Sequence, residues 1–207
     1  MDRFKRLVEL KEAMEKFIAD YKIPNTIGLR YCKECEWHFM RQRGEVVIPI
    51  IAFLERGMRI PMGPVIRDYL RHFRLAPVQC AVNVFRILGY VDALNEKMRL
   101  RLTHHDINWC YNLQHLKGKS YYMKASDDKV RLIQCLPESS KRLNKDFLIV
   151  SGAWHDGLPC PTKEGAPGGG TRWGIRSRRG LTFGVVVVCI FWLLIGVYLL
   201  FCKSSHL

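Results

Sequence analysis

The sequence lacks the short motifs that usually carry catalysis. It contains no GxSxG nucleophile elbow, no phosphate-binding GxxxxGK[ST] loop, no dinucleotide-binding GxGxxG and no HExxH zinc motif. The acidic pair Asp127–Asp128 lies between two predicted strands, where turn chemistry accounts for aspartate, and Asp146 with Asp156 forms no recognised motif. We therefore predict that the protein is not an enzyme, with no catalytic residue, no cofactor and no small-molecule substrate.

The sequence also lacks closely spaced cysteines and a second pair of potential metal ligands. Cys32, Cys35 and His38 offer three zinc ligands within seven residues, but a closed site needs a fourth, and no second CxxC or HxxxH follows. His104 and His105 are adjacent, so on a helix their side chains diverge by about 100°. The eight cysteines are widely spread, and the N-terminus has no signal-peptide apolar stretch. We predict free thiols and no metal, with zinc at the CxxC as the alternative.

Acidic residues are scarce relative to basic ones. The 207 residues include 19 Asp and Glu against 33 Lys and Arg, a formal charge of +14. Such an excess favours polyanions or anionic membrane surfaces as partners. The length suggests one domain with additional segments, since domains average about 150 residues.

The first half of the chain has mainly helical patterns. Apolar residues recur at three- and four-residue steps from about Arg3 to Tyr21, and a predicted apolar helix covers Glu45 to Glu55. Further helices are predicted from Pro64 to Phe73, from Val78 to Met98, and from an N-cap at Thr103 through His115.

Short runs of aromatic and β-branched residues follow Gly118. They predict strands at Ser120–Lys124, Val130–Leu136 and Phe147–Val150, which we expect to form one small antiparallel sheet. The predicted fold class is α+β, with a mainly helical N-terminal part and this sheet closing a domain over residues 1–156.

The C-terminal region has a different composition. Residues 157–180 are rich in Gly, Pro and Arg, which is typical of a linker. Residues 181–202 form a 22-residue run without a charged side chain, long enough as a helix to span roughly 33 Å against about 30 Å of bilayer hydrocarbon. We predict one transmembrane helix over 181–202 and a short tail at 203–207. A buried hydrophobic hairpin and an untested translation extension are the alternatives.

Basic residues on the two sides of this run predict its orientation. Lys203 alone follows the run, whereas four arginines precede it: Arg172, Arg176, Arg178 and Arg179. By the positive-inside rule the N-terminal domain should be cytosolic in a single-pass membrane protein. If the tail is not translated, a soluble cytosolic or nuclear protein is expected.

Two groups of basic residues could contact a polyanion. The helical part carries Arg56, Arg59, Arg67, Arg71, Arg74 and Arg86. The sheet part interleaves cations with two tyrosines, and its candidate nucleic-acid-binding residues are Lys117, Lys119, Tyr121, Tyr122, Lys124, Lys129, Arg131, Lys141, Arg142 and Lys145. Phosphate contacts combined with base stacking would bind RNA or DNA without sequence preference. A solvated basic surface without a specific ligand is the alternative.

The order of proline, glycine and aromatic positions resembles a known plant family. The segments that carry the likeness are Phe53–Leu70, Phe73–Pro77, Asn83–Leu88, Leu136–Lys141, Asp146–Val150 and Trp154. Together they resemble the gypsy-type transposon (transposase, Gag-like) domain over about residues 31–154.

This resemblance implies a retrotransposon-derived, non-enzymatic module that associates with itself or with nucleic acid. The chain lacks the CCHC knuckle, the DSG or DTG protease triad and the YxDD polymerase motif of a full element, and the apolar tail is not part of the family pattern. The rival hypothesis is a tail-anchored membrane adaptor whose basic domain meets anionic lipid. A divergent metal-dependent nuclease or transposase is a third.

Overall fold

The computed structural model describes residues 4–32, 44–54, 58–116, 120–127, 131–133 and 146–155. The chain divides into two compact units, Met1–Thr171 and Arg172–Leu207, and all described residues belong to the first. None of the helices in the described ranges is long and apolar enough to cross a membrane. The predicted linker 157–180, the apolar run 181–202, the tail 203–207 and the five flanking basic residues lie outside those ranges.

Five α-helices are present in the described residues. They are α1 (Lys11–Asp20), α2 (Ile50–Leu54), α3 (Pro64–His72), α4 (Val82–Met98) and α5 (His104–Cys110), with 3₁₀ turns at Lys5–Leu7 and Pro77–Gln79. Pro64 begins α3, where its missing N–H costs no hydrogen bond. Thr103 is the N-cap residue of α5 as predicted, and its backbone N–H donates to the Asp106 carboxylate at 2.8 Å.

Strands form a three-stranded sheet and a separate hairpin. The strands are β1 (Ile27–Tyr31), β2 (Val46–Pro49), β3 (Tyr111–Leu116), β4 (Ser120–Ala125) and β5 (Phe147–Gly152). The antiparallel sheet has the order β1-β5-β2, while β3 pairs only with β4 among the described strands.

The central strand β5 is covered on both faces. Leu148 and Val150 belong to the main core, whereas Phe147 and Ile149 belong to a smaller cluster on the other side of the sheet. Both groups are nearly inaccessible to solvent. A strand buried on both faces is apolar at every position and does not alternate.

Several predicted elements are confirmed. The mixed α+β class, the helix from Pro64, the helix ending at Met98 and the strands beginning at Ser120 and Phe147 are all present. The second of these helices begins at Val82, four residues later than predicted, because Pro77–Gln79 forms a 3₁₀ turn.

Other predictions were wrong at defined places. Residues 46–49 of the predicted helix Glu45–Glu55 form β2, because this apolar run pairs with β5 and is buried on both faces. The helix predicted through His115 ends at Cys110, and the following residues pair with β4.

The strand boundaries and the N-terminal helix also differ from the prediction. The predicted Arg3–Tyr21 helix is divided into a 3₁₀ turn and α1. Residues 131–133 of the predicted Val130–Leu136 strand are not in a strand, and the rest of that segment lies outside the described residues. Strand β1 was not predicted, and the strands belong to two sheets instead of one.

Candidate nucleic-acid interface

The β3–β4 hairpin separates its side chains onto two faces. In the antiparallel register Gln114 lies opposite Tyr122, and Asn112 lies opposite Lys124. Because directly opposed and alternate residues share a face, these four side chains belong to one surface. We call it the outer face of the hairpin. The other face carries Tyr111, Tyr121 and Met123, which are buried in the main core.

The two adjacent tyrosines of the predicted site therefore have different surroundings. Tyr121 is only 7% exposed and its ring contacts that of His115 at 5.1 Å between centroids, so it is held in the core and is not available to stack on a base. Tyr122 is partly exposed on the outer face, and its hydroxyl donates to Gln114 Oε1 at 2.8 Å. This hydrogen bond fixes the direction of the Tyr122 ring.

Two of the predicted cations are described, and both are exposed. Lys124 follows Tyr122 by two residues and has no ion pair among the described residues. Arg131 begins the short segment 131–133, which is held against β3 because the backbone N–H of Ile133 donates to the Tyr111 hydroxyl at 3.1 Å. Burial raises the pKa of Tyr111, and the nearby charge of Arg131 acts in the opposite direction.

The hairpin is fixed to the start of α4 through backbone contacts of β4. The Asn83 side-chain amide donates to the Met123 carbonyl at 2.6 Å and accepts from the Met123 N–H at 3.4 Å. The Ala81 N–H donates to the Tyr121 carbonyl at 2.8 Å. The outer face is thus presented by an element that is anchored on its opposite side.

The remaining predicted contacts lie outside the described residues. They are Lys117, Lys119, Lys129, Lys141, Arg142 and Lys145.

The helical arginines do not form one surface. Arg67 and Arg59 pair with Asp68 and Glu96 at 3.1 and 3.2 Å, and Arg86 is buried. Arg71 and Arg74 are exposed at the C-terminal end of α3 and make no ion pair with any described residue. Arg56 lies in one of the gaps between the described ranges.

The predicted metal candidates are only partly described. No group of three His, Cys, Asp or Glu in the described ranges is arranged to hold a metal ion. Cys32 is a buried free thiol, while Cys35 and His38 lie outside those ranges. The Asp146 carboxylate accepts from the Phe4 backbone N–H at 2.8 Å and the Tyr31 hydroxyl at 3.3 Å, so it has a structural role.

Sequence reasoning missed one cluster of side chains. His104 and His105 were considered as a pair of metal ligands, but His72, which lies 32 residues earlier than His104, contacts both rings. No spacing rule links these positions. It also missed Asn112 and Gln114, because residues 103–115 were interpreted as a helix and their strand alternation was overlooked.

Comparison with known proteins does not identify a relative: no family model, no curated protein and no solved structure matches this chain. The resemblance of residues 31–154 to the gypsy-type transposon domain therefore stays a prediction based on the order of its residues.

Proposed function

We propose that this chain is a non-enzymatic, retrotransposon-derived, Gag-like module that binds single-stranded nucleic acid through the outer face of the β3–β4 hairpin. The observation that carries the proposal is the placement of Tyr122 and Lys124 on the same face of an anchored hairpin. Self-association of the module is an additional part of the family prediction.

The outer face offers the two contacts that a flexible polyanion requires. Lys124 supplies positive charge for phosphates, and the ring of Tyr122 supplies a surface for one base. Stacking is tolerant of sequence because every base has an aromatic face, and phosphate contacts carry no sequence information. Gln114 and Asn112 add hydrogen-bonding groups beside the ring. We expect binding that is weak, general and strongly dependent on salt.

A second function is favoured by the apolar run at residues 181–202. A tail-anchored adaptor would hold the same basic domain close to anionic lipid on the cytosolic side of a membrane. The two functions differ in their ligand, since lipid headgroups provide phosphate without exposed bases. The Tyr122 ring therefore favours nucleic acid as the ligand of the hairpin.

Fluorescence anisotropy with a labelled oligo-uridine RNA tests the proposal on the full chain in mild detergent. Lys124→Glu should weaken binding about five- to tenfold at low salt and reduce the salt slope by about one. Tyr122→Ala should weaken binding at least about fivefold, because base stacking is worth about 1–3 kcal/mol.

The matched control is Lys11→Glu, which makes the same change in net charge on the exposed surface of α1. We expect less than about twofold loss for this variant, because long-range charge effects on the surface are screened within about 10 Å. Equal losses for Lys11→Glu and Lys124→Glu would show that only the net charge matters and would overturn the assignment of the hairpin.

A further inference from the structure

Three histidine side chains meet where the end of α3 contacts the start of α5. His72 is the last residue of α3, and His104 and His105 are the first two residues of α5. The ring centroids of His72 and His104 are 4.2 Å apart, with an angle of 30° between the planes. Those of His104 and His105 are 4.1 Å apart, and those of His72 and His105 are 6.1 Å apart. The three imidazoles thus form one cluster at the surface.

Charged side chains of α3 and α5 lie beside this cluster. Asp68 of α3 and Asp106 of α5 both act on His104, which is half-buried. Arg71 and Arg74, on either side of His72 in the sequence, are exposed and make no ion pair within the described ranges. Asp68 is also paired with Arg67 at 3.1 Å, so its charge is partly compensated. Every proton that the imidazoles take up therefore adds positive charge close in sequence to Arg71 and Arg74.

Aromatic surface accompanies these charges. Trp109 is 46% exposed and lies four residues after His105, which places both on one side of α5. Stacked imidazoles, an exposed indole and arginines are the side chains on which unpaired bases stack and to which phosphates bind. A lipid headgroup surface would bind the cationic side chains, but it has no bases that could stack on the aromatic rings.

We propose that the cluster of His72, His104 and His105, with Arg71 and Arg74, is a second nucleic-acid contact that takes up protons when phosphate binds. The inference rests on the proposed function, since it assigns the same ligand to a second surface. It adds a property that the hairpin lacks, which is tighter binding at mildly acidic pH.

The direction of this pH dependence follows from the surroundings of the imidazoles. Burial lowers the pKa of His72 below the ordinary 6.5, and the charge of His105 lowers it further. Burial also lowers the pKa of His104, with His72 and His105 adding to the effect and Asp68 and Asp106 opposing it. These shifts favour the neutral form of His72 and of His104 in the free protein. A bound phosphate favours the protonated rings, so affinity rises as the pH falls.

The test uses the full chain in mild detergent and a labelled single-stranded oligo-uridine RNA at constant ionic strength. Wild-type protein should bind about tenfold more tightly near pH 6 than near pH 8, because uptake of one proton changes affinity by up to tenfold per pH unit. The variant His72→Gln/His104→Gln/His105→Gln should show less than about threefold change over the same range. The control His115→Gln removes an exposed histidine on the hairpin and should keep the wild-type dependence.

A second measurement uses the wild-type chain, so its result does not depend on whether the triple variant folds. Titration calorimetry in two buffers of different ionisation enthalpy should show net proton uptake on RNA binding near pH 6.5. Absence of proton uptake, or an unchanged pH dependence in a folded triple variant, would overturn the inference.

These outcomes separate the inference from the proposed function. If RNA binds with the expected effect of Lys124→Glu but without proton uptake, the hairpin assignment stands and the histidine contact is wrong. If RNA does not bind at any pH, both fail. If the histidine-dependent pH effect occurs only with phosphatidylserine vesicles, the ligand of the cluster is a lipid surface and the nucleic-acid assignment is overturned.

Discussion

Asp92 is the side chain that positions α3 against α4. It lies in α4, and its Oδ1 accepts a hydrogen bond from the Val65 N–H at 3.0 Å, in the first turn of α3. It therefore acts as an N-cap supplied by another helix. A side chain at Gly63 would collide with this carboxylate, which explains a glycine directly before α3. The second oxygen, Oδ2, is buried with no hydrogen-bond partner among the described residues.

Ionised Asp92 should lower stability at neutral pH. Burial raises the pKa of this carboxyl, although hydrogen bonds from Val65 and Ile66 and nearby arginines oppose the shift. A raised folded-state pKa means that the native protein keeps a proton that the unfolded chain has released. Stability therefore falls as the pH rises from about 3.8, the ordinary value, through the folded-state pKa.

Two substitutions test this role. Asp92→Asn removes the charge but keeps an acceptor for Val65, so we expect at least wild-type stability at pH 7 and a flatter pH profile. Asp92→Ala removes the cap and should cost about 1 kcal/mol relative to Asp92→Asn. Urea denaturation between pH 4 and pH 7 measures both effects. If Asp92→Asn proved less stable than Asp92→Ala at pH 7, the capping explanation would be wrong.

Tyr121 and Tyr122 are neighbours of the same residue type, but their rings differ in exposure. Both were predicted to contact nucleic acid, but neighbouring residues in a strand face opposite sides. Which of them is exposed depends on the face that packs on α4, and Asn83 and Ala81 fix that packing from 40 residues earlier. The sequence therefore placed both rings in one strand and could not show that only Tyr122 is partly exposed.

Among the helices and strands, the sequence correctly predicted those whose signals lie within the element itself. Helix α3 has apolar residues at helical spacing, a proline at its first position and a charged opposite face, and it was found where it was predicted. Strand β4 was likewise found at its predicted position. These signals need no knowledge of distant partners.

The helix predicted over the residues of strand β2 was wrong because their structure depends on a distant partner. Val46, Val47 and Ile48 form a continuous apolar run, which periodicity cannot assign to a helix or to a doubly buried strand. Its partner β5 lies about 100 residues later, and the pairing of Val46 with Val150 decides the outcome. Strand β1 was missed because its pairing with β5 is equally distant in sequence. The histidine cluster was missed for the same reason, since α3 and α5 meet only in the folded chain.

At the scale of the whole molecule, the chain combines an excess of positive charge with the apolar run at residues 181–202. The described residues form one folded unit with an anchored basic hairpin. Arginines concentrate again immediately before the apolar run. The proposed membrane attachment would leave the folded unit in the cytosol, where RNA is accessible.

The membrane prediction is tested by placing charge within the run. Phe191→Arg with Leu194→Arg should release most of the protein from membranes, because each central charge costs about 2.5–3.5 kcal/mol on insertion-derived scales. The control Phe191→Leu with Leu194→Ile should stay in the membrane fraction. Carbonate extraction gives the measurement, and wild-type protein in the soluble fraction would contradict the anchor.

Topology is tested on the same chain with glycosylation acceptors. A site added after Leu207 should be modified, because the flanking arginines predict that the residues after the apolar run lie on the non-cytosolic side, and a site near Met1 should not. Modification near Met1 alone would reverse the predicted orientation.

The central claim is that single-stranded nucleic acid contacts the outer face of the hairpin, and photochemical cross-linking tests it most directly. An RNA oligonucleotide carrying 5-iodouridine is irradiated with the full chain, and the modified peptides are identified by mass spectrometry. We predict a cross-link at Tyr122, which is partly exposed, and none at Tyr121, which is in the core. Specific cross-links found only outside residues 112–131, or a Tyr121 adduct without one at Tyr122, would contradict the account.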